Sequence, residues 1–189
     1  MSTEPHAEHG TMPPMKPSEE STQDQLRLAR EQGDAYARAM EAMRRETGRL
    51  ASTRARDYEI AVTAEHPEGM YMLQDGRLTW QNPTDENIHI EVAVRDAADG
   101  RFVPGLPVVV TVLTADSREV GTQQHEFLWH PWLYHYGRNW HVPGDGTYRI
   151  RVHIDPPTFA RHDHENGRRY GQPVDVELSL DFKTGQKLA

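Results

Sequence analysis

Between Tyr58 and Phe182 apolar side chains recur at every second position, in short runs broken by turn residues. Ile88, Ile90, Val92 and Val94 alternate with polar or small partners, and Tyr148, Ile150, Val152 and Ile154 alternate with polar ones. Val174, Val176, Leu178, Leu180 and Phe182 give the clearest case, and Val108 to Thr114 is nearly all β-branched. Met70 to Leu73 and Leu78 to Trp80 flank Asp75-Gly76, a dipeptide suited to a two-residue hairpin turn. A period of two puts alternate side chains on one face, which must be covered. No amphipathic helix intervenes, so these strands can cover only one another. The pattern predicts an all-β domain over residues 58–185, a two-sheet antiparallel β-sandwich of seven or more strands.

A different period precedes it. Leu26, Ala29, Gly33, Tyr36, Met40, Met43, Thr47 and Leu50 recur at spacings of three and four. They predict an N-terminal helix over residues 21–50, capped by Ser21 with Asp24. The stripe is thin, so the helix needs the main domain or a second subunit to pack on. Residues 1–20 are rich in Pro, Glu and His and are expected to be a disordered tail. The opening MSTEPHAEHG lacks the basic start and apolar stretch of a signal peptide. That favours a cytoplasmic chain, or one that begins after a removed segment.

Composition narrows the chemistry. There is no Cys, which removes thiolate catalysis, disulfides and Cys-based metal sites. The net charge of -8 gives no general attraction for nucleic acid or anionic lipid. HExxH, GxSxG and phosphate-binding glycine motifs are all missing, so nothing points to an enzyme. The outlier is histidine, with 11 residues, of which eight fall between His89 and His164.

Three segments could bring imidazoles together. His89 and Glu91 are two apart on a strand and share the face opposite Ile88, Ile90 and Val92. The segment HEFLWHPWLYHYGRNWH carries His125, His130, His135 and His141 among aromatic residues. Its His130-Pro131 step breaks any helix, and the segment reads as a loop crossing one side of the sandwich. Spacing alone does not choose among its four His. FARHDHENG follows Pro156-Pro157 and offers His162 and His164 on a loop. Imidazoles with one carboxylate suit copper, iron or zinc better than calcium or magnesium.

Taken in order, H-x-E, G-R-x-x-P-G, HYGRN, HIDPP and A-R-H-D resemble the bacterial periplasmic iron-transport-associated family, described as ferrous iron or copper-binding, together with related haloarchaeal proteins. The resemblance runs from about Tyr58 to Phe182. It implies an immunoglobulin-like β-sandwich that forms a homodimer, a periplasmic location and an association with a membrane permease. It also implies metal ligands at His89, Glu91, His135 and His162. The family has a further Met ligand shortly before HYG. Here Leu128 stands seven residues before His135, and His130 is the replacement ligand. The resulting expectation is a non-catalytic metal-binding protein of iron or copper handling, with zinc as a third candidate ion. Two alternatives stand beside it: an interaction sandwich whose aromatic loop docks a partner, and a mononuclear metal oxidase.

Overall fold

The computed structural model describes residues 13–184. Helix α1 spans Gln23–Thr47. Its cap is Thr22 rather than Ser21, because Gln25 completes the reciprocal pair: its N–H donates to Thr22 Oγ1 at 3.3 Å, and its side chain accepts the Thr22 N–H at 2.8 Å. Gly48, with φ 69°, ends the helix in the left-handed conformation.

Ten strands follow: β1 (Ala51–Ala55), β2 (Tyr58–Glu65), β3 (Met70–Gln74), β4 (Arg77–Gln81), β5 (Ile88–Asp96), β6 (Val108–Thr114), β7 (Glu119–Trp129), β8 (Tyr134–Trp140), β9 (Gly146–Ile154) and β10 (Val174–Phe182). Eight pair in the order β1-β2-β5-β8-β7-β6-β9-β10, all antiparallel. Strand β7 joins the two halves of a sandwich. Up to His125 it pairs with β6, and from Glu126 it pairs with β8. Strands β1 and β10 approach at the other side, so the sandwich is nearly closed. The immunoglobulin-like sandwich with a helical extension is the architecture found.

The core lies between the halves and holds the alternating residues read from the sequence. Ile60, Val62, Ile90, Val92, Val110, Ile150, Val152 and Phe182 are all buried in one cluster. Strands β3 and β4 form a separate hairpin whose Asp75 and Gly76 both have positive φ, as the Asp-Gly dipeptide suggested.

The aromatic segment does not form a loop. It is the β7–β8 hairpin, and His130-Pro131 forms its turn, closed by the His130 N–H donating to Leu133 O at 3.0 Å. Cross-strand stacking of Phe127 on Tyr134 (5.6 Å) and both on Phe102 favours the paired form. Residues 1–12 of the expected tail lie outside the described residues. Residues 13–20 do not stand free. Ser18 Oγ donates to Asp163, Lys16 exchanges two hydrogen bonds with Asn166, and Arg169 donates to Pro13 O.

Helix α1 lies on the outer face of β2, β5 and β8. Met40 and Met43 pack on Ala61, Ala93 and Leu133. Thr63 donates to Thr47 Oγ1 at 2.8 Å, and Tyr36 OH donates to Tyr134 O at 2.6 Å. This covering matters because the outer face carries the polar residues of β5.

Candidate metal centre

Register defines the site. On the outer face Glu65, His89 and Asn139 form one cross-strand row, and Thr63, Glu91, Gly137 and Glu126 form the next. His135 follows, opposite Leu128. The second row has a hole at Gly137, where there is no side chain. A Cβ there would stand 2.7 Å from His89 Nε2 and 3.1 Å from His135 Cδ2. The two rings therefore meet over the glycine, edge to face, with centroids 6.1 Å apart. One donor atom each from His89, Glu91 and His135 lies within 4.8 Å of the other two. Among the described residues this is the one group of three or more such side chains so arranged.

All three residues are buried, although they sit on the sandwich's outer side. His89 Nε2, Glu91 Oε2 and both ring nitrogens of His135 have no hydrogen-bond partner. Such atoms are rare in a folded interior, since each forfeits its hydration. The His135 and Glu91 side chains are 3.3 Å apart at Nε2 and Oε1.

Asn139 fixes the protonation of His89. The amide is oriented by the backbone of Glu68, whose N–H donates to Asn139 Oδ1 (3.2 Å) and whose carbonyl accepts from Asn139 Nδ2 (2.7 Å). The oxygen of Asn139 thus faces His89 Nδ1 at 2.8 Å, so Nδ1 must carry the proton. The lone pair of a neutral His89 is then on Nε2, aimed into the group. Metal-ligating imidazoles are commonly held by such a bond to the other nitrogen.

Electrostatics keep the imidazoles neutral. Burial lowers His89 to about 4 and His135 to about 3, the latter further opposed by His89. Glu91 is pushed well above the carboxylate range, first by burial and then by Glu65 beside it. Glu65, half-buried, is also raised by desolvation. Two neutral imidazoles and a carboxyl relieved of its proton form a donor set that fits a borderline transition ion.

The other expected ligands fall elsewhere. His130 lines the wall of a cleft leading to His135 but is outside the group of three. His162 is exposed and pairs with Glu20 at 3.0 Å. Its loop is anchored at the far end of β5. Arg161 donates to the carbonyls of Arg169 and Tyr170, and Tyr170 in turn bonds Asp57 and Asp96. Asp96 is five residues from Glu91, about 17 Å along a strand. His125, on the opposite face of the hairpin, is a core residue that accepts the Trp140 indole N–H at 3.1 Å. His141 meets Asp85 O at the surface. The sequence reading did not single out Glu65, His66, Glu68, Gly137 or Asn139. The run Glu65-His66-Pro67-Glu68, at the end of a strand that pairs with the H-x-E strand, was the available signal.

The profile of the family described as Fe2+ transport protein matches residues 51–184. The chain belongs to that family. UPF0423 proteins of Brucella abortus (strain 2308) and Brucella suis biovar 1 (strain 1330) are each 28% identical over 107 residues, 51% of this chain and 54% of theirs. The chain thus spans about half the length of the curated relatives it matches. Two solved structures share the fold. FetP of a uropathogenic Escherichia coli strain superposes with a TM-score of 0.60 at 23% identity, covering 73% of this chain and 97% of that one. The copper-reconstituted P19 protein of Campylobacter jejuni gives 0.61 at 20% identity, covering 72% and 95%. The Fe2+ transport family match begins at Ala51, directly after α1, and includes His89, Glu91 and His135.

Proposed function

We propose that this chain binds a transition metal ion, copper or ferrous iron, at His89, Glu91 and His135, and acts in metal handling outside the cytoplasm rather than in catalysis. The observation that carries this reading is the buried trio of donors within 4.8 Å, with four nitrogen and oxygen atoms left without partners. Incidental imidazoles in a folded protein find hydrogen bonds. His89 keeps one such bond, to Asn139, but its Nε2 and both ring nitrogens of His135 have none, which tells against a purely structural sandwich. The Fe2+ transport family and the copper held by P19 support the choice of ions, and zinc fits the same donors. The periplasmic expression of FetP supports the location.

The remaining ligand and the oligomer form one question. His162 lies too far along its own chain, so it serves this ion only from a second copy of the protein. A homodimer is therefore part of the proposal, as is delivery to a membrane permease. The test is titration of metal-free protein with Cu(II), and anaerobically with Fe(II). His89→Ala and His135→Ala should each weaken the tight equivalent by at least about 100-fold. Unchanged affinity in both variants overturns the assignment.

A further inference from the structure

A cleft of about 1070 Å³ opens between residues 65–73 with the β3–β4 hairpin on one side and residues 126–131 on the other. His135 forms part of its inner end. Its lining bears the carboxylates of Glu65, Glu68 and Glu126 and the imidazoles of His66, His130 and His135, with no Lys or Arg among them. A passage of this composition lowers the energy of cations and raises that of anions.

Two of those imidazoles are unexplained by the inner group. His66 Nδ1 and His130 Nδ1 are both buried without a hydrogen-bond partner. The His130 ring is set edge-on against Trp132, with centroids 5.3 Å apart, which limits its rotation. His130 shares the cleft with Glu68 and His135 and is near enough to both to act on their charge. Glu68 is exposed at the cleft, and its backbone is clamped by Asn139, the same side chain that orients His89.

We propose that His66, Glu68 and His130 form a second, outer cation site that takes a borderline divalent ion and passes it inward to His89, Glu91 and His135. Two nitrogen donors and one carboxylate match the donor types of the inner group, so the same ion is acceptable to both. The outer donors do not all lie within 4.8 Å of one another. They must close on the ion, which makes this station the weaker and more readily exchanging one. Glu65 sits beside Glu91 and lines the same cleft as the outer donors. The transfer step rests on the proposed inner site, whereas the outer site does not.

The test is calorimetric titration of the full-length protein with Zn(II). Wild-type protein should show two classes of site, the second at least about tenfold weaker. The double variant His66→Gln/His130→Gln should lose the weaker class and keep the tight affinity within about twofold. Glu68→Gln, at an exposed position that leaves the core intact, should weaken the second class several-fold. His89→Ala should lose the tight class and keep the weaker one. A single class in the wild type, or a second class that survives in the double variant, overturns the outer site. A tight class that survives His89→Ala overturns the inner reading instead.

Discussion

A methyl group on Gly137 would lie 2.7 Å from His89 Nε2, so the glycine of β8 creates the space in which the imidazole of β5 meets its neighbours. The same point is 2.7 Å from Leu128 Cδ1. We expect Gly137→Ala to displace His89 or His135 and weaken metal binding by at least about 100-fold. Overpacking should lower the stability of the metal-free protein by about 1–3 kcal/mol. Calorimetric titration and chemical unfolding on one sample separate the two effects. Wild-type affinity in the variant would show that the glycine is dispensable.

Leu128 follows from that geometry. Its Cδ1 and His89 Nε2 both lie 2.7 Å from the same point, so the leucine side chain borders the donor group. Leu128→Met should place a thioether there and raise affinity for Cu(I), a soft ion, by about tenfold or more. Affinity for Zn(II) should change far less. Competition with a chelator of known Cu(I) affinity measures this, and equal gains for both ions would count against it.

Asn139 holds the His89 tautomer and the turn at Glu68 together. Asn139→Leu removes all three bonds at similar volume. Loss of such supporting bonds typically weakens metal binding by about 10- to 100-fold. The far-ultraviolet spectrum should be unchanged while metal affinity falls in that range. A variant with full affinity would mean that packing alone orients His89.

Acid should destabilise the metal-free protein. His89 is held at about 4, and His135 and His125 at about 3, mainly by burial. An unfolded chain returns them to about 6.5. Below pH 6.5 the unfolded state then binds more protons than the native state. The stability that these imidazoles contribute is complete above 6.5 and is lost as pH falls towards 4, by about 1.4 kcal/mol per pH unit for each. Glu65 and Glu91 have raised values and the opposite sign: their contribution is complete below the ordinary 4.5 and declines as pH rises through their native values. Asp57 and Glu68 are raised by burial as well, but Glu91 is the carboxyl pushed well above the ordinary range, so the three imidazoles dominate and the urea midpoint should fall between pH 6.5 and 4.5. A flat midpoint over that interval would contradict burial of the three rings.

The helix is set against the sandwich by a glycine. A Cβ on Gly33 would stand 1.8 Å from Asp99 O, a separation that no local adjustment absorbs. Gly33→Ala should lift this end of α1 and lower stability, with the β domain still folded, as expected from a family match that begins at Ala51. Proteolysis within residues 21–50 should accelerate in the variant. An unchanged cleavage rate would show that the contact yields.

The strands were legible because a covered core face imposes a period of two on large apolar side chains, and Ile88, Ile90, Val92 and Val94 keep it although His89, Glu91 and Ala93 on the other face are buried too. The pairing of His89 with Glu91 followed from the same rule. His135 was recognisable from the HYG motif through family resemblance, yet its spacing alone did not separate it from His125. Those two His fall on opposite faces of one hairpin because of the turn at His130-Pro131, and turn geometry is poorly encoded in periodicity.

What the sequence determined by itself was local: which residues alternate, where turns interrupt them, and which polar side chains share the face of β5. Tertiary structure decided everything that depends on register between distant strands. It set Gly137 opposite Glu91, placed Glu65 beside His89, closed α1 over an otherwise solvated face, and anchored the His162 loop at the other end of β5. The physical reason is that side-chain direction is fixed by the backbone of a few neighbouring residues. The shared position of a metal's ligands depends instead on pairings between segments tens of residues apart, and only the assembled sandwich sets those.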